Sequence, residues 1–251
     1  DYLTTKYLQE ISGLQAEYIP LHELKLVDED VVHNGELVVS RGLYTPDFEK
    51  IDVLYRQTYP LEHLINDIDP VTGTNVGEQL LQFITERNLA ILNPPSSFLL
   101  QSKAIMALIW GLHEQKHPFY SEKEHSWIHH YFLPTYLEEE YFQQNQIPYV
   151  KKPSFGREGN TVSIFQSDGT VLQEDNLKNY RSELSIYQKY IDLPQLDIQT
   201  EKGLQRASIM YGSFIINGKA SAIGIRAGGL ITNNTSFYLP IAISKREEDH
   251  I

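Results

Sequence analysis

The 251-residue chain contains no cysteine. That excludes a disulfide framework, thiolate metal sites and a cysteine nucleophile, and it fits a cytoplasmic protein. Long apolar runs are missing as well: none approaches the ~20 residues that span a bilayer, so no membrane partner is expected. The opening residues Asp1-Tyr2-Leu3-Thr4-Thr5 have none of the features of a secretory signal. Basic charge is scarce, with 21 Lys and Arg against 33 Asp and Glu and a net charge of −12. A broad basic face for nucleic acid is therefore not expected, and an anionic ligand would need a local cationic pocket. The chain also lacks the glycine fingerprints G-x-G-x-x-G and G-x-S-x-G, so dinucleotide and serine-hydrolase readings have no mechanical parts. The segment from Gly212 to Lys219 resembles a P-loop but has one residue too many between its glycines. Ala220 also stands where the metal-binding Ser or Thr belongs.

What is present suits a globular protein of one large or two smaller domains. The Asn93-Pro94-Pro95 run is the best boundary, dividing an N-terminal α/β part (1–95) from a second part (96–251). In the first, apolar spacing predicts helices over residues 2–14, 60–66 and 77–87. Strands are expected over 17–20, 35–39, 51–55 and 89–92, with Arg56 at a strand end where ligands are often met. In the second, residues 103–112 form a strong helix with Lys103 at its start. Because the helix dipole does not favour a cation there, Lys103 is expected to answer another charge. His113 and His117 are four apart and could share a metal, but no third ligand lies in register. They and His125, His129 and His130 are read as surface or interface histidines. Residues 133–146, acidic and tyrosine-rich, are expected to be a solvated helix.

The remainder is mostly antiparallel. Residues 162–165 and 171–173 flank the turn Ser167-Asp168-Gly169-Thr170, and Asn217-Gly218 joins strands over 207–216 and 219–226. Further strands are expected over 185–191 and 236–244. Between Tyr149 and Phe165 lies a short strand, a loop with Gly156, Arg157 and Gly159, and a second strand. Its glycines permit close approach of backbone N–H groups, and Arg157 and Lys152 add charge, as a polyphosphate requires. An ordinary hairpin loop is the competing reading.

Four ordered segments together resemble the synthetase domain of the glutathionylspermidine synthase family. They are Asn93-Pro94-Pro95 with Ser102-Lys103-Ala104-Ile105, then Tyr149 to Pro153 with Gly156-Arg157-Glu158-Gly159-Asn160, then Ile186 to Tyr190 with Leu193-Pro194, and Gly224-Ile225-Arg226. The resemblance implies an α+β, ATP-grasp-like fold and an ATP- and magnesium-dependent ligase. Such a ligase joins a peptide or amino acid carboxylate to an amine through an acyl phosphate. It further implies that Lys103 and Lys152 contact ATP phosphates, with Gly156 and Gly159 in the phosphate loop. Arg157 would hold the transferring phosphoryl group, Gln188 would line the adenine, and Arg226 would stabilise phosphate. Arg56, a looser match, falls near the peptide substrate. The family's acidic-plus-Asn magnesium motif has no counterpart in the sequence. Since the chain opens in mid-element without methionine, it is expected to be a piece of a longer protein. An ATP-binding but catalytically degenerate scaffold, or a partner-binding protein, is the alternative.

Overall fold

The computed structural model describes residues 2–56 and 64–242. The chain divides into two compact units, Asp1–Leu99 and Leu100–Ile251.

The first unit contains α1 (Tyr2–Ser12), β1 (Lys25–Val27), β2 (Val31–His33), β3 (Glu36–Val39), β4 (Gly42–Tyr44), β5 (Val53–Tyr55), α2 (Val76–Thr85) and β6 (Ala90–Leu92). Its strands form three small pairs. β1–β4 and β2–β3 are antiparallel, and β5–β6 is parallel. The core is built from Leu43, Leu64, Leu80, Phe83, Leu89 and Ile91, with Phe83 and Leu43 almost fully buried. α2 presents Leu80 and Phe83 to this core, and Asn75 caps it by accepting from the Glu78 N–H at 3.0 Å. Arg41 crosses to the far end of α2, donating to Glu86 (3.0 Å) and Gln82 (2.5 Å).

Three expectations change here. Residues 17–20 are not a strand, and the pairing strand is β1, further along. α1 forms as its spacing predicts but buries no residue. A second hairpin, β2–β3, turns at Asn34-Gly35, both at positive φ. The helix expected over 60–66 lies mostly outside the described residues.

The second unit carries a five-stranded sheet, order β10-β9-β8-β11-β7, and a four-stranded sheet, order β12-β13-β14-β15, both antiparallel throughout. Its elements are α3 (Ala104–Glu114), α4 (Glu122–Tyr131), β7 (Thr135–Tyr136), α5 (Glu140–Gln144), β8 (Tyr149–Pro153), β9 (Ser163–Phe165), β10 (Val171–Glu174), β11 (Ser185–Lys189), β12 (Gln195–Thr200), β13 (Gly203–Ile216), β14 (Lys219–Gly228) and β15 (Phe237–Leu239). The helix α4 starts at a capping box, with the Ser121 hydroxyl and the Glu124 carboxylate bonding each other's backbone N–H.

The solvated helix expected over 133–146 is replaced by a strand and a five-residue helix, and Thr135 and Phe142 inside it are buried. Pro134 removes a backbone donor there and holds Leu133 out of helical conformation. Phe142, Tyr149 and Phe165 stack in sequence, with centroids 5.4 and 4.8 Å apart, and so anchor the start of β8. The histidines also differ from expectation, because His113 and His125 are buried. Their Nδ1 atoms lie 3.1 Å apart where α3 meets α4, and burial pushes the His113 proton affinity down.

The architecture is α+β. Among the described residues no helix is long and apolar enough to cross a membrane.

Candidate functional site

Lys103, Lys152 and Arg157 of the second unit gather at one loop. Lys103 stands immediately before α3, and its backbone N–H donates to Ser154 O at 2.8 Å. Its ammonium donates to Gly156 O at 2.6 Å. The start of α3 is thus tied to the loop through both main chain and side chain. The group Lys103 answers is a carbonyl, and the charge beside it is the Arg157 cation.

Lys152 lies on β8, where strand pairing sets it opposite Ile186 of β11. Its Nζ donates to Gln188 Oε1 at 2.7 Å, and Gln188 Nε2 donates to Thr135 Oγ1 at 3.0 Å. Burial pulls the Lys152 ammonium down to about 8, and nearby Lys103 adds to the shift. Lys103 is lowered by burial first and by Arg157 second. An anion placed beside Lys103 and Lys152 would favour their charged forms.

The loop between β8 and β9 is pinned at both ends. Ser154 N–H donates to Leu184 O at 2.7 Å, and Thr161 N–H to Leu177 O at 2.9 Å. Asn160, itself buried, accepts from Asn179 N–H at 3.1 Å, and Thr161 Oγ1 accepts from Tyr180 N–H at 3.1 Å. Between these anchors Arg157 and Glu158 are exposed, and Arg157 Nη2 donates to Gln101 at 3.3 Å.

The two glycines of the loop serve packing in different ways. Gly159 has φ +74°, and a Cβ there would meet Ile231 Cγ2 at 2.7 Å and Thr232 O at 2.8 Å. Gly156 has no such backbone requirement, but a Cβ on it would run into the ring of Pro153.

Arg226 on β14 reaches the same turn from the other side. Its Nη2 donates to Asn233 O at 2.5 Å, and its guanidinium sits 5.4 Å from the Tyr238 ring centroid. Its Nε is buried with no hydrogen-bond partner among the described residues. Gly159 against Thr232 and Arg226 against Asn233 connect the loop with β14 through adjacent residues of one turn. The structure therefore links Lys103, Lys152, Gly156, Arg157, Gly159, Gln188 and Arg226. Arg56 belongs to the other unit, where its N–H donates to Leu92 O at 3.3 Å beside an apolar pocket of Leu64, Gly77, Leu80 and Ile91.

Sequence reading missed Thr135, Gln101 and the Asn160–Thr161 pins. The Leu133-Pro134 pair, which stops a helix, was the available signal for Thr135. The ammonium donors of Lys103 and Lys152 and the guanidinium of Arg157 suit phosphate oxygens. Among the described residues no three His, Asp or Glu side chains come together as a metal site, and magnesium has no assigned ligand.

The chain is 23% identical over 225 residues to a Haemophilus influenzae protein named "Putative acid–amine ligase". The match covers 88% of the chain and 48% of that relative, so the chain spans about half of the relative's length. The family model described as glutathionylspermidine synthase pre-ATP-grasp matches residues 1–244, across both units. The chain belongs to the glutathionylspermidine synthase family.

Proposed function

We propose that the protein containing this chain is an ATP-dependent acid–amine ligase, and that the second unit supplies the nucleotide-binding part of an ATP-grasp fold. The observation that carries this reading is the cluster of Lys103, Lys152, Arg157 and Gln188 in a chain of net charge −12. Lys103 and Lys152 would hold phosphate oxygens, and Gln188 would lie beside the base. The exposed Arg157, between pinned loop ends, would neutralise charge on the transferring group, and Arg226 would stabilise phosphate. Bound ATP would supply the phosphoryl group that activates a carboxylate for attack by an amine. Fixed cations lower the cost of the charge that develops in such a transfer without reorganising during it.

Arg56, in the first unit, is proposed as a contact for the peptide substrate. Small-molecule substrates and a cytoplasmic location follow from this reading. Magnesium would accompany the nucleotide, and no chemistry is assigned to it through this chain's residues.

The direct test is ADP release by the whole protein across thiol peptides, amino acids and polyamines. Amine-dependent release with wild type, reduced at least ~100-fold in Arg157→Ala, is the expected result. Nucleotide binding with no amine-dependent release across the panel favours the non-catalytic alternative.

A further inference from the structure

β7 is only two residues long, and it pairs with β11 so that Thr135 stands opposite Gln188. Thr135 is 1% exposed, which keeps its hydroxyl from bulk water. A hydroxyl has a single proton to give. In Thr135 that proton goes to Leu133 O, 2.8 Å away. Toward Gln188 Nε2, at 3.0 Å, Thr135 Oγ1 is left only to accept.

This direction settles the amide. The Gln188 NH2 faces Thr135, and its carbonyl Oε1 faces the Lys152 ammonium at 2.7 Å. A reversed amide would set oxygen against oxygen on one side and NH2 against an ammonium on the other, losing both bonds. Every proton in the series points the same way, from Lys152 through Gln188 and Thr135 to the Leu133 carbonyl. The remaining charge near Lys152 is repulsive, from Lys103. Its carbonyl partner therefore matters more than it would beside a carboxylate.

We propose that Thr135 is a positioning residue of the nucleotide site, which fixes the Gln188 amide and through it the place of the Lys152 ammonium. The inference rests on the reading of Lys152 as a phosphate contact. Thr135 would not touch the nucleotide. It acts by removing the alternative orientation of Gln188, so that Lys152 is pre-organised before ligand arrives. Valine has the shape of threonine without the hydroxyl, and serine has the hydroxyl without the methyl. Those two substitutions separate hydrogen bonding from packing.

The test uses the whole protein. NMR titration of the Lys152 side chain without ligand is expected to show about a tenfold lower proton affinity, about one pKa unit, in Thr135→Val. Thr135→Ser should titrate close to wild type. Gln188→Met, similar in length without the amide, should repeat the drop and serves if Thr135→Val does not fold. Calorimetric titration with ATP should show about tenfold weaker binding in Thr135→Val and rescue in Thr135→Ser. An unchanged Lys152 titration in folded Thr135→Val, or equal losses with Val and Ser, overturns the positioning role. If Lys152→Ala binds ATP as wild type does, the phosphate reading fails instead, and the ligand-free titration alone decides for Thr135.

Discussion

In the five-stranded sheet of the second unit the strands run two to five residues, and Thr135 and Ser163 are buried within them. Ser154 and Asn160 are buried in the adjoining loop, each with bonds to neighbouring backbone. In the four-stranded sheet β13 runs fourteen residues and β14 ten. Its core is Ile198, Ala207, Ile209 and Ala227, while Tyr211, Phe214, Ile215, Ile216 and Ile223 are exposed along the ribbon. The first sheet commits buried polar groups to specific partners, which costs stability if any bond is lost. The second relies on a turn and a small apolar core. The difference separates the parts of the chain that aim side chains from those that carry them.

The largest expected contrast is in stability. Ile209, 1% exposed, should cost about 2–5 kcal/mol on replacement by Ala. Urea denaturation of the folded protein measures it. Gly159→Ala comes next, at about 1–3 kcal/mol, because it combines positive φ with a Cβ pressed against Ile231 and Thr232. Gly218→Ala at the β13–β14 turn has almost the same φ, +71°, but open space, so only the backbone strain of about 1 kcal/mol applies. Equal losses at the two glycines would break the contrast between a packed loop and a free turn.

A smaller effect is pH-dependent. Lys152 titrates near 8 in the folded protein, against 10.5 unshifted. ATP affinity should therefore fall as pH rises through about 8, by about tenfold between pH 7 and 9 if binding needs the ammonium. Lys152→Arg should abolish that fall, since the guanidinium stays charged. The sign for stability is opposite. Between about 8 and 10.5 the unfolded chain binds the proton more tightly, so this residue's contribution to stability increases with pH. The smallest effect is Ile215→Ala at the exposed ribbon, within about 0.5 kcal/mol of wild type by the same urea assay.

The ribbon was legible in the sequence because its turn signal is local: Asn217-Gly218 supplies two positive φ angles between runs of strand formers. The same logic at Asn34-Gly35 was passed over, since Val31–His33 is short and flanked by acidic residues. The strand–loop–strand plan of Tyr149 to Phe165 was legible too, along with the cations beside it. What holds the loop was not. Its pins join Asn160 and Thr161 to backbone N–H groups almost twenty positions later, and no spacing rule reports a side chain bonded to distant main chain. Thr135 was hidden by an acidic, tyrosine-rich stretch that reads as a helix unless Pro134 is given its weight. The buried histidines were misjudged for a related reason. Their burial depends on how α3 meets α4, a tertiary fact absent from either helix alone.

The central claim is that one face of β8 is aimed at a nucleotide, and its two adjacent lysines offer a direct test. Successive strand residues point to opposite sides. Lys152 turns to Gln188, whereas Lys151 lies with its ammonium 5.6 Å from the Tyr187 ring centroid. Calorimetric titration of ATP into the whole protein should show at least about tenfold weaker binding in Lys152→Ala and less than about threefold in Lys151→Ala. Equal losses in the two variants, or none in either, would contradict the account.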